Sequence, residues 1–415
     1  MSRDVIDAVT AGYARSDRVF WLDGGGARSW LGRRSMVGVL SDEDVSLTFD
    51  AASGEVRRHQ HGRVEVVGDE IFGVLEREIA ADAGDPSVHW VGYFGYAARP
   101  DLPARPWERG PDAVWMRCTD VAFFDHPDEP LSPRHNPRGV DAPVPSWYDE
   151  DFAEVQENLR AGNSYEVNLT YRVRPTTDVA DPLATYLRLR AVNPAPYAGL
   201  LRHGETHLLS ASPERYATVD ADRWLEAKPI KGTTPRGVTT AEDERLRAQL
   251  VTDPKYRGEN LMIVDLLRND LSMVCEPGTV RVPSLMAVES YASVHQLVST
   301  VRGQLRDDVS TLAALWALFP AGSMTGAPKL RTMEIIDAVE TAPRGIYSGA
   351  FGWICADGRA DLGVVIRSLM KTPSGWEVGT GGGVTVRSSV EEEWHESRWK
   401  AARVLGALLD NKVTS

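Results

Sequence analysis

In the segment YDEDFAEVQENLRAGNS, residues 148–164, Phe152, Val155 and Leu159 recur at i, i+3 and i+7. That spacing puts one buried face on a helix, and Gly162 marks its end. Ahead of it the apolar positions run and alternate, as in HWVGYFGYAA and VWMRCTDVAFFD, with glycine at the turns, which predicts strands. After it, SYEVNLTYRVRP reads as a strand, DPLATYLRLRAVN as a helix, and YAGLLRHG and HLLSASPERYATV as strands again. No regular alternation of strand and helix runs through the chain, so the pattern predicts an α+β fold with antiparallel sheets. Two later helices are marked by their starts. TDPKYRGENLMIVDLLRNDL opens with Asp253 and Pro254, a cap and first-turn pair. SSVEEEWHESRWKAARVLGALLD opens with Ser388 and Glu391 at capping-box spacing and offers Val404, Leu405, Leu408 and Leu409 for packing. Residues 125–147, DHPDEPLSPRHNPRGVDAPVPSW, are rich in proline and short of apolar positions, and read as a linker or long surface loop. The pattern thus divides the chain into a β-rich part at 1–124, the loop at 125–147 and a larger region at 148–415.

Composition changes this picture little. The 415 residues are 42% hydrophobic and 25% charged, as in an ordinary globular protein. The net charge of -13 argues against a nucleic-acid or anionic-membrane partner, which would require a basic face. An anionic small molecule fits only with local help from cations or backbone N–H groups. Cys118, Cys275 and Cys355 are far apart and carry no metal or disulfide signature, so we expect thiols in a reducing cytoplasm. The start, MSRDVIDAVTAGYARSDRVFWL, is charged throughout and lacks a signal-peptide apolar core. No apolar run approaches the ~18 residues of a membrane span. A soluble cytoplasmic protein is expected.

Candidate chemistry begins at AKPIKGTTPRG, residues 227–237, where Lys231 sits between Ile230 and Gly232, just after Pro229. Proline restricts the backbone and glycine leaves room beside the amine. A desolvated lysine gives up its proton more readily and acts as a nucleophile. Glu393 and Glu396 share a face of one predicted helix and Glu259 lies on another. Glutamates on facing helices could hold a hard cation such as Mg2+ and leave positions for substrate oxygens, although helical glutamates are more often solvated. Gly381, Gly382 and Gly383 let backbone N–H groups approach an anion, or form a hairpin turn; both readings fit. PAGSMTGAPKLR, residues 320–331, is a small-residue loop running into a helix, with Ser323 and Thr325 as hydroxyl donors and no phosphate-loop pattern. Arg367 lies in the apolar run LGVVIRSLM, either paired structurally or clamping a carboxylate.

Taken together, SASPERY, KPIKGTTPRG, ENLMIVDLLRNDL, HQLVST, AGSMTGAPKLRTMEIID and GTGGGV followed by EEEWHE resemble the chorismate-utilising enzymes in content and order. That family includes component I of anthranilate synthase, isochorismate and salicylate synthases, and component I of aminodeoxychorismate synthase. The resemblance implies two large antiparallel sheets packed orthogonally, with helices outside. Pro-Ile-Lys-Gly-Thr at Lys231 is similar to the aminodeoxychorismate synthases, where anthranilate synthases read Pro-Ile-Ala-Gly-Thr. It therefore implies amination of chorismate at C4, with Lys231 attacking C2 and Glu214 of SPER protonating the departing hydroxyl. Glu259 and Glu396, with Glu393 beside them, match the Mg2+ ligands. Tyr347 and Arg367 match the residues that hold the enolpyruvyl carboxylate, with Gly381 and Gly383 as backbone donors and Gly382 between them; Ser323 and Thr325 fall on the polar loop. Ammonia is expected from a separate glutaminase subunit, since no cysteine-centred glutaminase motif is present. Amination at C2, as in anthranilate or 2-amino-2-deoxyisochorismate synthases, is the alternative that Lys231 opposes. A non-catalytic scaffold for a glutaminase is the alternative of another kind. Relatives often place His before Leu-Val-Ser, where this chain has Gln296 and carries His295 one residue earlier. Glu166 stands where some relatives have Gln and isochorismate synthases a water-activating lysine, and Tyr256 stands where relatives often have an acidic residue. LDGGGARSW falls where the family can bind tryptophan.

Overall fold

The computed structural model describes residues 3–24, 33–127, 142–291 and 294–409. Most of the LDGGGARSW segment and most of the proline-rich loop lie outside the described residues. Two sheets organise the chain, and every strand pair in them is antiparallel. The nine-stranded sheet runs in the order Gly326–Ala327, Glu166–Val173, Gly375–Val384, Ser368–Thr372, Thr206–Ser212, Tyr197–His203, Arg18–Asp23, Arg34–Val39 and Ala122–Asp125. The 12-stranded sheet runs from Ile230–Pro235 and Val294–Gln304 to the edge strand Arg63–Gly68, with Arg281–Ser290 also paired to Val294–Gln304. Both sheets contain strands from before residue 125 and from after residue 147. The α+β architecture of two antiparallel sheets flanked by helices is the one expected.

The strands of the nine-stranded sheet alternate, and the alternation separates two cores. Phe20, Leu201, Leu208 and Met370 face the main core, shared with Trp90, Val91, Ala217, Leu225 and Val301 of the other sheet. Their neighbours Trp21, Leu200, Leu209 and Leu369 face a second core, covered by Val5 and Val9 of helix Arg3–Arg15, Tyr186 and Leu189 of Pro182–Val192, and Val404 of Val390–Gly406. The helix read from Phe152, Val155 and Leu159 spans Ser146–Arg160 and packs those residues with Val167, Leu169, Ile335 and Trp394, so the last residues of the proline-rich stretch belong to it. Pro254–Ser272 begins at its Asp253 cap as expected, the carboxylate accepting from Lys255 N at 2.8 Å. The C-terminal helix starts one residue later than its sequence suggested. Ser389 caps it by accepting from Glu392 N at 3.3 Å, while the Ser388 hydroxyl accepts from Thr385 N at 3.1 Å. Val404 and Leu408 are buried there and Leu409 is exposed. The three cysteines are buried and unbridged. No helix of the described residues is long and apolar enough to cross a membrane.

Two crossings between the sheets position the site. The chain leaves the nine-stranded sheet at Ser212 and joins the other at Arg215, so Pro213 and Glu214 form a corner. It returns between Val364 and Ser368, where Arg367 adopts φ 52°, a left-handed conformation that is strained for a residue with a side chain.

Candidate active site

A cavity of about 120 Å³ opens between these crossings and the helices Pro254–Ser272 and Val390–Gly406. It is lined by Glu214, Lys231, Glu259, Ser323, Tyr347, Arg367, Gly381, Gly382, Gly383, Glu393 and Glu396. These positions are spread over 183 positions of sequence, from 214 to 396, and the fold brings them together. Thr325 does not join them. It is fully buried in the short helix Gly322–Thr325, and its hydroxyl is spent on the carbonyls of Ala321 and Gly322, 3.5 and 3.3 Å away.

Lys231 reaches the cavity through a bulge. Strand Ile230–Pro235 pairs with Val294–Gln304 at Ile230 and again from Thr233, and the register shifts between them, at Lys231 and Gly232. A bulge re-aims a side chain. Gly232 has φ 97°, and a Cβ there would lie 3.0 Å from the Tyr256 ring. The lysine is buried, as a nucleophile in this setting requires, but its proton affinity moves opposite to expectation. Burial alone would lower its pKa. Glu166, Glu259 and Glu214 outweigh burial, and the pKa is raised. Glu166 Oε1 accepts from Lys231 Nζ directly, and the Ser323 carbonyl lies 3.4 Å from the same nitrogen.

Ser323 ties the lysine to the acid. Its hydroxyl donates to Glu214 Oε1 at 2.5 Å. Burial pushes the Glu214 carboxyl up to about 7, against the opposing pulls of Ser323 and Lys231. Glu214 therefore keeps a proton close to neutrality, as a general acid must.

On the helical side, Glu259, Glu393 and Glu396 face the cavity with two lysines that sequence reasoning missed. Lys255 donates to Glu393 at 2.8 Å, and Lys400 to Glu396 at 2.7 Å and to the Gly381 carbonyl at 3.0 Å. Their spacing carried the signal: Lys255 and Glu259 are four apart on one helix, and Glu396 and Lys400 four apart on the other. Burial and then Glu166 push Glu259 up to about 8, and its Oε1 is a buried oxygen with no hydrogen-bond partner. Burial and then Glu396 raise Glu393, whereas for Glu396 the attraction of Lys400 outweighs burial and its pKa falls. Among the described residues no three carboxylate, imidazole or thiol groups are gathered so that they could hold a metal ion by themselves. Glu259, Glu393 and Glu396 offer oxygen donors of the kind a hard cation takes.

Arg367 and Tyr347 close the remaining wall. Burial lowers the arginine to about 10. Its guanidinium donates to the Lys400 carbonyl at 3.3 Å and lies 5.5 Å from the Trp399 ring centre. No carboxylate of the described residues forms a direct ion pair with it, although Glu396 lies near enough to attract its charge. Tyr347 stacks under Arg172, 4.9 Å from its ring centre. A Cβ at Gly379 would lie 2.1 Å from that ring, which makes glycine necessary there. The glycine run forms no turn. Gly381, Gly382 and Gly383 lie in strand Gly375–Val384, paired with Thr170, Leu169 and Asn168. The strand on their other side pairs only from Gly375 to Val378, which leaves an open backbone edge toward the cavity. Gln296 also lines the cavity, along with Asn168 and Tyr256. His295 points the opposite way, as strand alternation requires, and bonds Ser290 at 2.8 Å and Asp243 at 3.0 Å.

A family model described as chorismate binding enzyme matches residues 19–406. The aminodeoxychorismate synthase of Streptomyces pristinaespiralis is 39% identical over 98% of this chain and 64% of its own length. That of Streptomyces griseus is 36% identical over 95% of this chain and 61% of its own. The chain thus spans less than two thirds of the length of these curated relatives. Among solved structures, anthranilate synthase component I from Streptococcus pneumoniae superposes with a TM-score of 0.73 at 25% identity, over 87% of this chain and 89% of that one. The menaquinone-specific isochorismate synthase from Escherichia coli shares the fold at a TM-score of 0.70 and 17% identity, over 99% and 92%. With the family model covering nearly all of the chain and its motifs converging on one cavity, the protein belongs to the chorismate binding enzymes.

Proposed function

We propose that the protein aminates chorismate at C4 to give 4-amino-4-deoxychorismate, a precursor of p-aminobenzoate and folate, using ammonia from a separate glutaminase subunit. The observation that carries this reading is the link Lys231–Ser323–Glu214 on one cavity wall, which sets an amine beside a protonated carboxyl. The amine attacks C2, the ring double bonds shift, and the C4 hydroxyl leaves with the proton of Glu214. Hydroxide is a poor leaving group, so this proton lowers the barrier directly. Ammonia then adds at C4 and the lysine leaves. The names of the two Streptomyces relatives support the same reading.

The substrate carries two carboxylates and the protein a net charge of -13, so binding needs local positive charge. Arg367 and Tyr347 would take the enolpyruvyl carboxylate, with the open edge of Gly381–Gly383 supplying N–H donors. Glu259 and Glu396, with Glu393 beside them, would hold Mg2+, and the unpartnered Glu259 Oε1 fits that role. When bound, the cation neutralises the ring carboxylate. Glu396→Gln is expected to abolish Mg2+-dependent turnover with the fold intact. Circular dichroism and Mg2+ titration of the variant check this; full activity at unchanged Mg2+ demand would remove Glu396 from the site.

Product analysis tests the whole reading. With chorismate, Mg2+ and ammonium the isolated chain should form 4-amino-4-deoxychorismate. With glutamine as the nitrogen source it should be inactive until a glutaminase subunit is added. Anthranilate or 2-amino-2-deoxyisochorismate as product would favour C2 amination. Absence of chorismate consumption would leave the scaffold reading.

A further inference from the structure

Lys231 holds its proton in the resting site, yet an ammonium has no lone pair to attack with. Something must take that proton. The candidates are the groups that face the amine: Glu166 from strand Glu166–Val173, Glu259 from helix Pro254–Ser272, Glu214 from the sheet crossing, and the Ser323 carbonyl. A carbonyl cannot accept a proton at neutral pH. Glu214 is engaged with the Ser323 hydroxyl and must deliver its own proton to the leaving group. Glu166 alone among the carboxylates is in direct contact with the amine.

Its placement is built rather than incidental. The side chain is 0% exposed, and its Oε2 has no hydrogen-bond partner. The backbone is fixed by pairing with Ala327 and by the Ser164 hydroxyl, which donates to the Glu166 carbonyl at 2.8 Å. Gly383 keeps the meeting point open. A Cβ there would lie 2.1 Å from Glu166 Oε1 and 3.1 Å from Lys231 Nζ.

We propose that Glu166 is the proton acceptor for Lys231: it takes one proton as the nitrogen bonds to the ring, keeps it while the adduct lasts, and returns it when the lysine leaves. This rests on the C4-amination reading. The step balances. An N–H bond of the ammonium breaks and a carboxyl O–H forms on Glu166. The freed lone pair makes the N–C2 bond, the ring electrons shift, and the C4–O bond breaks as Glu214 protonates the hydroxyl to water. The adduct nitrogen is then a secondary ammonium. When ammonia adds at C4 and the N–C2 bond breaks, the neutral amine regains its proton from Glu166.

The test is Glu166→Gln, with Glu166→Asp as the conservative control. Adduct formation on Lys231 is followed by intact-protein mass spectrometry with chorismate and Mg2+ and no ammonia, between about pH 6 and pH 9, where the wild-type amine holds its proton. At pH 7 the glutamine variant should be slower by roughly 100-fold, the low end of general acid–base effects, with half-saturation by chorismate little changed. The ratio of variant to wild-type rate should rise about tenfold per pH unit, because solvent must first remove the proton. The aspartate variant should recover part of the rate and the flat ratio. A second arm uses no substrate: competitive acetylation of Lys231 by acetic anhydride should show the amine titrating at lower pH in Glu166→Gln than in wild type. A variant as fast as wild type at pH 7, a slow variant whose ratio is flat with pH, or an unchanged acetylation profile would each overturn the role of Glu166. Absence of any wild-type adduct would instead sink the C4 reading, and the acetylation arm would still decide whether Glu166 controls the amine's proton.

Discussion

Lys231→Ala is expected to cut formation of 4-amino-4-deoxychorismate by roughly a thousandfold or more, about 4 kcal/mol of transition-state stabilisation. The substitution removes the amine proposed to attack, and it leaves Glu214, Glu259 and Arg367 where they are. It also leaves a void where the buried amine sat and strands Glu166 without its cation. Because Arg367 and the Gly381–Gly383 edge remain, chorismate should still bind, more weakly beside the unpaired Glu166. Chemistry directed at C2 should persist or appear, since alanine is the residue of the anthranilate synthase pattern at this position. Wild-type protein quenched with chorismate and Mg2+ but no ammonia should carry an adduct that maps to Lys231 by peptide mass spectrometry. Undiminished C4 product from the alanine variant would show that the lysine is not the nucleophile.

Glu214→Gln should lower kcat/KM by about 10²–10⁴-fold, the range that a positioned proton donor contributes. It should also change the pH profile in a defined direction. Burial raises the Glu214 carboxyl to about 7, so the donor form persists below that pH and is lost as pH rises through it. Wild-type kcat/KM should thus fall on the alkaline side of pH 7, measured with free ammonia held constant. The glutamine variant should show no such limb, because its amide neither gains nor loses a proton there. If the alkaline limb survived in the variant, another group would own it.

Much of the site was legible because its parts sit in short, ordered stretches of chemically demanding residues. Lys231 stood out through Pro229 and Gly232, and the bulge explains why both are there: one stiffens the approach, the other allows φ 97° under the Tyr256 ring. Glu393 and Glu396 were readable from helical phase, and Glu259 from its place on a second predicted helix, while the match of Glu259 and Glu396 as a pair came from the resemblance. Lys255 and Lys400, which pair with Glu393 and Glu396, stand four residues from Glu259 and Glu396 and were equally readable, but a lysine on a helix resembles any solvated lysine until its burial is seen. The glycine run could not be resolved between an anion-approaching backbone and a hairpin turn, because three glycines carry no side-chain signal; pairing with Thr170, Leu169 and Asn168 excludes the turn. The direction of the Lys231 shift was misread for a similar reason: sequence gives its own neighbours, while the carboxylates that reverse burial come from distant segments.

The helices went unread where periodicity fails. Thr311–Leu318 is apolar nearly all round, so it has no face to detect, and Thr240–Thr252 buries only Leu250. Ile71–Ala81 packs adjacent Ile71 and Phe72 with adjacent Val74 and Leu75, a cluster that mimics a strand run. The antiparallel class was accessible from alternation, but the crossings at Glu214 and Arg367 were not, since HLLSASPERYATV and LGVVIRSLM carry no signal that tells one sheet from the other.

The place of strand Gly375–Val384 has a consequence for how the molecule is made. It is the last strand in chain order among the described residues, yet it lies inside the nine-stranded sheet, between Glu166–Val173 and Ser368–Thr372. During synthesis on the ribosome, Glu166–Val173 is complete some two hundred residues before its neighbour exists. Through that interval it presents an unpaired backbone edge with the buried apolar residues Val167 and Leu169, the kind of edge that recruits other chains. The helix that supplies Glu393, Glu396 and Lys400 follows later still. A nascent chain therefore carries its aggregation hazard early and its ligand-binding reward late, and substrate can rescue only the finished polypeptide.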